Sequence, residues 1–230
     1  MTKLQRTTFA ASRAAEYFDA RQLSTLTGTP TSDFANVVLK ELVDNSLDAC
    51  EVGEAGVAPE IAVTVDTEPL EGEVVGNAIR IMVADNGPGI PSEVVRRLLD
   101  YEVRVSDKAA YRSPTRGAQG NALKTVIGIP YALGSREPIT IVAGDGIEHT
   151  IEPSVDPAGN VHIGHDERNG HPRGGTTVSV LIPTGLDGDA ATLAEINGFS
   201  NPLIAQHFHP GHWVGSFAAF NPHATISYQR

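Results

Sequence analysis

Cysteine is nearly absent: Cys50 is the single one in 230 residues. One thiol cannot build a disulfide framework or a cysteine-based zinc site. No run of about 18 apolar residues occurs, which excludes a transmembrane helix. The opening stretch, MTKLQRTTFAASRAAEYFDA, lacks the apolar core of a secretory signal. The expected compartment is therefore the cytoplasm, with no membrane partner. Basic residues are scarce as well: 17 Lys and Arg against 28 Asp and Glu leave a net charge of −11. A chain this acidic is a poor general binder of polyanions. The length suits one large domain, or one with an appendage. A hydrophobic share of 40% and a charged share of 20% are ordinary for a globular protein.

The positive charge that exists is concentrated. Between Arg96 and Lys124 seven basic residues face three acids, so the segment carries +4 and the remainder −15. A cationic segment in an acidic chain suits a small anion such as a phosphate chain better than a duplex. The plain alternative is a solvated charged loop.

Residues 1–32 read as an arm or short helix, ending near the Thr27–Pro30 turn, that leads into a main domain over 33–230. Asp33 is placed to cap a helix from Phe34 to about Glu51. Alternating Ile61, Val63 and Val65 mark a strand, and Ala78–Ala84 a more buried one. The second runs into the turn-forming string Asp85-Asn86-Gly87-Pro88-Gly89-Ile90. Pro91 then opens a helix at its first position. Residues 101–120 have neither helical nor strand period; a long irregular stretch inside a domain points to a lid or a loop. A short helix is expected over Asn121–Ile127. A hairpin follows over Pro138–Ala143 and Ile147–Ile151, turning at Gly144-Asp145-Gly146. Val161–Ile163 and Thr176–Ile182 read as strands separated by a polar loop, Ala190–Ala205 as a weak helix, and Ala224–Tyr228 as a final strand. Hairpins outnumber βαβ units. The expected fold is thus α+β, a two-layer sandwich of a mixed, mostly antiparallel sheet with helices on one face.

Four segments carry chemistry. On the helix over 34–51, apolar residues fill a broad arc, while Glu41, Asp44, Asn45 and Asp48 share a sector about 100° wide. Asp44 and Asp48 are like charges at i,i+4, and Glu41 has no basic residue three or four positions on. Carboxylates and an amide oxygen without a cation suit magnesium, completed by substrate phosphates; a solvated acidic face is the alternative. Asp85, at a strand end and followed by Gly87 and Gly89, can accept from an exocyclic amine while the backbone approaches a flat ligand. Taken alone it is a tight turn. Gly117-Ala118-Gln119-Gly120-Asn121 running into a helix makes an anion cradle, or simply a loop-to-helix junction. It is not a Walker A loop, because Leu123 precedes Lys124-Thr125. Gly175-Thr176 opens a strand, where a hydroxyl could meet a base edge.

Together and in this order, the four segments resemble the GHKL (Bergerat-fold) nucleotide-binding family of type II topoisomerase ATPase domains, MutL, the ninety-kilodalton chaperone and histidine kinases. ELVDNSLDA (41–49), DNGPGI (85–90), GAQGNALKT (117–125) and Gly175-Thr176 look like its four motifs. The resemblance implies ATP and Mg2+ as cofactors. It implies Glu41 as the base that activates water, Asn45 as the metal ligand, and Asp48 at the nucleotide. Asp85, with Thr176, would read adenine, and Gly87, Gly89 and Ile90 would line its pocket. Lys108 and the run Gly117, Ala118, Gln119, Gly120, Asn121, Ala122, Leu123 and Lys124 would wrap the triphosphate, with 101–120 as the ATP lid. Histidine kinases fit less well, since Glu41 has no counterpart in their first motif and no phospho-acceptor hairpin is visible.

Within the family the chain is most similar to the B subunit of topoisomerase VI, with a MutL-like protein as second choice. Ser106-x-Lys108, Thr115-Arg116-Gly117 and Asn221-Pro222-His223-Ala224 carry the first resemblance; Ala122, where that group has glycine, departs from it. The implied activity is ATP hydrolysis within an ATP-dependent type II DNA topoisomerase. ATP would gate a homodimer with residues 1–32 exchanged, acting on DNA through a separate cleaving A-type subunit. The alternatives are a MutL- or MORC-like clamp, or a nucleotide-binding module that hydrolyses slowly because a lysine from a following domain is expected to lie beyond this chain. His207, His209 and His212 could ligate a transition metal; exposed or capping histidines in a turn are the simpler expectation.

Overall fold

The computed structural model describes residues 14–52, 57–70, 76–101, 122–171, 174–186, 204 and 207–230. Within them lie five α-helices: α1 (Ala20–Thr27), α2 (Phe34–Glu51), α3 (Ser92–Leu98), α4 (Ala122–Ala132) and α5 (Pro210–Phe220). Seven strands form one sheet: β1 (Glu60–Leu70), β2 (Gly76–Asp85), β3 (Ile139–Val142), β4 (Ile147–Val155), β5 (Val161–Asn169), β6 (Thr177–Leu186) and β7 (Thr225–Gln229). Their order is β5-β4-β3-β6-β2-β1-β7. Every pairing is antiparallel except β1 with β7. The expected α+β sandwich with a mixed, mostly antiparallel sheet is what forms.

Strand alternation explains the layers. Ile61, Val63 and Val65 of β1, Ile79, Ile81 and Val83 of β2, and Val178, Val180 and Ile182 of β6 all turn to one face and are buried. The apolar arc of α2 meets them with Phe34, Val38, Leu39, Leu42 and Leu47, each at most 2% exposed. Beside it α4 adds Val126, Ile127 and Ile129. Burying side chains of this kind is worth about 1.5–3 kcal/mol each, so the α2–sheet seam contributes substantially to stability. It also fixes the polar sector of α2 along the end of β2, where Asp85 stands.

Several boundaries differ from expectation. Asp33 precedes α2 but makes no side-chain cap bond. The 3-10 turn Thr31–Asp33 feeds straight into the helix and supplies its carbonyls instead, Phe34 N–H bonding to Thr31 O. Pro91 lies one residue outside α3, in extended conformation, its carbonyl receiving Val94 and Val95 N–H. Helix α4 runs on past Ile127 through Pro130, because Ile129 and Leu133 continue its buried face. Strand β5 extends to Asn169 into what reads as a polar loop. Helix α5 has no counterpart in the expected elements. The expected helix over 190–205 falls outside the described residues except for residue 204, as do residues 1–13 of the arm.

Candidate functional site

The site is built around the end of β2. Asp85 Oδ1 accepts two backbone bonds, from Gly87 N at 3.0 Å and Thr176 N at 3.1 Å. Ser46 of α2 also bonds this carboxylate. One half-buried acid thus joins α2, the 85–90 loop and the start of β6. Burial pushes its carboxyl above the ordinary range, against the bonds from Gly87, Thr176 and Ser46 that pull it back.

The loop backbone is held at close quarters. Gly175 N–H donates to Gly87 O at 2.7 Å, and Ile90 N–H to Thr176 Oγ1 at 2.9 Å. Gly175 has φ 72°, and a Cβ there would overlap the Asp85 carbonyl oxygen. Gly89, with φ 80°, packs its Cα against Gly144 in the β3–β4 turn with no room for a side chain. Both positions require glycine, by left-handed backbone and by contact. Asn86 faces away and ties the loop to β1: its Oδ1 accepts Glu60 N–H at 2.8 Å and its Nδ2 donates to Ala58 O at 3.0 Å.

The acidic sector of α2 differs from expectation in one respect, for it has a cation of its own. Lys40 Nζ lies 2.8 Å from Asp44 Oδ2 and 3.4 Å from Glu41 Oε1. Burial draws the Lys40 ammonium down, but the Asp44 and Glu41 carboxylates outweigh it and hold it above its ordinary value. A basic residue N-terminal to the acids supplies the partner that a search further along the helix misses. The pair is exposed enough that it contributes little to stability. Glu41 remains partly open to solvent, whereas Asp48 is only 7% exposed. Asn45 Nδ2 is buried with no hydrogen-bond partner among the described residues. An amide so placed can be turned to present its oxygen to a hard cation, and amide plus carboxylate oxygens are magnesium's donor class. The donors around Asn45 therefore fit magnesium.

Of the third segment, Lys108 and Gly117 to Asn121 lie outside the described residues, and Ala122, Leu123 and Lys124 open α4. Lys124 is 1% exposed. Its Nζ donates to Asp100 O at 2.6 Å and sits 5.2 Å from the centre of the Tyr101 ring. Its ammonium is thus turned to the foot of the 101–120 segment. Thr176 is buried and donates its N–H to Asp85, and Gly87, Gly89 and Ile90 lie in the loop that follows Asp85.

Two contributors escape sequence reasoning. Ser46 falls in the middle of the apolar arc of α2, where a hydroxyl must find a partner, and that anomaly is the available signal. Gly144 reads only as a turn residue. The histidines at 207–212 gather no metal-ligand group among the described residues. His207 lies 3.5 Å from Asp33, and the His209 carbonyl accepts His212 and Trp213 N–H at the start of α5. No described helix is long and apolar enough to cross a membrane.

A family model described as "Histidine kinase-, DNA gyrase B-, and HSP90-like ATPase" matches residues 31–186. Curated relatives bear the name of the B subunit of type 2 DNA topoisomerase 6. That of Thermococcus onnurineus is 30% identical over 149 residues, covering 63% of this chain and 25% of the relative. Those of Pyrococcus abyssi (33% over 149 residues; 64% and 25%) and Archaeoglobus fulgidus (33% over 129 residues; 56% and 19%) agree. The chain spans a quarter or less of the length of these relatives.

Proposed function

Since the chain belongs to the histidine kinase-, DNA gyrase B- and HSP90-like ATPase family, we propose that it binds and hydrolyses ATP as the nucleotide-binding part of a protein like the topoisomerase VI B subunit. The observation that carries the reading is Asp85: a half-buried carboxylate with two backbone amides on one oxygen, at the meeting point of three of the four motifs. Its charge accepts from the adenine amine, with Thr176 fixing the loop beside it and Gly87, Gly89 and Ile90 giving the base a backbone wall.

The phosphates then run along the polar sector of α2 toward the N-terminus of α4, where Gly117 to Leu123 offer backbone amides. Lys124 anchors this segment through the Asp100 carbonyl, and Lys108 reaches the phosphates from the lid. Asp48 lies under the nucleotide. Magnesium, held by Asn45, supplies neutralisation of phosphate charge when bound. Glu41 orients a water for attack on the terminal phosphate and takes its proton. In the intact assembly ATP binding gates a homodimer, residues 1–32 are exchanged between its copies, and the clamp drives DNA passage with a cleaving A-type subunit.

A second reading, a module that binds ATP with little turnover, is favoured by one contact. Lys40 lies 3.4 Å from Glu41 and competes with water for its carboxylate. The Glu41→Ala variant separates the two. On the first reading, calorimetry finds ATP affinity retained while phosphate release falls at least about a hundredfold, the weight of a general base. Unchanged hydrolysis would remove Glu41 from the role.

A further inference from the structure

A second polar cluster lies on the other side of the Gly89–Gly144 contact, between α3 and the β4–β5 hairpin. His149 is fully buried, at 0% exposed. It stands opposite Glu167 in the β4–β5 register, and His165, two residues before Glu167, shares that face. His149 Nδ1 lies 2.9 Å from His165 Nε2 and 3.5 Å from Glu167 Oε1, and His165 Nε2 lies 3.8 Å from the same oxygen.

Proton counting fixes the state of His149. Ser92 Oγ donates its one proton to Asp145 Oδ1 at 2.8 Å. That hydroxyl oxygen can then only accept from the ring nitrogen 3.0 Å away, His149 Nε2. In its neutral form His149 therefore keeps its one proton on Nε2 and presents a bare lone pair at Nδ1. The lone pair is buried next to Glu167 Oε1, which already accepts from Arg96 Nε; the donor within reach of Nδ1 is His165 Nε2–H, and in the other His165 tautomer three acceptor atoms face one another. A cation satisfies all three groups. A point equidistant from three atoms with these separations lies about 2.0 Å from each, the usual zinc–nitrogen and zinc–oxygen bond length.

The surroundings match those of a ligand set. The far nitrogen of His149 is held by the Ser92–Asp145 pair, and Arg96 grips both oxygens of Glu167 at 2.6 and 2.7 Å. Each oxygen keeps a second lone pair. Outer partners of this kind orient metal-binding imidazoles and carboxylates. We propose that His149, His165 and Glu167 form a site for a divalent transition-metal ion of the zinc class, which fastens α3 to the β4–β5 hairpin behind the 85–90 loop.

The full chain, stripped with chelator and kept free of nucleotide, is titrated with Co2+ and then Zn2+. The expected result is one Co2+ per chain with the visible bands of four-coordinate cobalt, bleached by one equivalent of Zn2+. The half-exposed ligands are the ones to change, since loss of His149 could unfold the sheet. His165→Ala and Glu167→Gln should each weaken binding by more than the ~10–100-fold that losing an outer contact costs. Zn2+ should raise the unfolding temperature of the wild type but not of either variant. His207→Ala/His212→Ala should bind as wild type does. No stoichiometric uptake, or uptake that survives the His165/Glu167 double change, overturns the site. Because nucleotide is absent throughout, that failure would leave the ATP reading untouched.

Discussion

Replacing Asp85 by Asn tests the base-reading role with little disturbance of shape. The amide oxygen of the new side chain can keep both bonds from Gly87 and Thr176 N–H, which span 3.0 and 3.1 Å in the wild type, so the fold should survive. What changes is the outward atom, from a charged acceptor to an NH2 donor. The adenine amine then loses a charge-assisted bond worth about 1.5–3 kcal/mol and meets a donor instead, an unsatisfied contact costing about 1–3 kcal/mol more. At about 1.4 kcal/mol per tenfold, ATP should bind roughly two to four orders of magnitude more weakly. Inosine triphosphate carries an acceptor where adenine carries the amine, so its disadvantage relative to ATP should shrink or reverse. Calorimetry with both nucleotides on wild type and Asp85→Asn, alongside circular dichroism, measures this. A folded Asp85→Asn protein that binds ATP as the wild type does would refute the assignment of the base pocket to this carboxylate.

Gly175→Ala must adopt a left-handed backbone, at about 1–2 kcal/mol, and push its methyl into the Asp85 carbonyl, at about 1–3 kcal/mol. Thermal denaturation should show a fall of roughly 5–15 °C, whereas an unchanged midpoint would mean the β6 start is not pinned as described. ATP affinity should be flat near neutral pH and fall about tenfold per pH unit once pH drops through the Asp85 carboxyl's raised pKa, since only the ionised form accepts from the amine. A profile that falls only at the ordinary carboxylate range or below would detach affinity from Asp85.

The parts of the fold legible in the sequence are those where one periodicity dominates. Helix α2 has its expected ends because its apolar arc is continuous and nearly all of it is buried. Strand β5 reads too short because it is an edge strand: beyond Ile163 it offers His165 and Glu167 to the inner side rather than aliphatic residues, so alternation reads as a polar loop. Helix α5 is invisible to periodicity because Gly211 and Gly215 lower its local propensity; packing against β7 and α2 decides it. At the site, Asp85, Gly89 and Thr176 are recognisable as motif residues, but Lys40's grip on Asp44 requires looking backward along the helix. The burial of Lys124 depends on Asp100 and Tyr101, more than twenty residues away, which no local pattern encodes.

The same carboxylate also decides what the pocket costs the fold. A raised pKa means that the folded state binds the Asp85 proton more tightly than the unfolded chain does. Folding therefore favours the neutral acid, while adenine recognition needs the charged one. The sign follows: Asp85 is least costly below the ordinary carboxylate pKa, and its cost grows as pH rises through the raised folded value, then levels off. Asp85→Asn removes that ionisation and can retain the bonds that join β2, β6 and the 85–90 loop. Urea unfolding should accordingly show wild type and Asp85→Asn closest at acid pH, with the variant gaining relative stability as pH increases. Such a residue, better for the fold when replaced by its neutral isostere, is kept for what it binds. If Asp85→Asn is instead the less stable protein by a growing margin at neutral pH, the charge is a structural brace for the Gly87 and Thr176 amides, and the pocket's specificity must come from elsewhere.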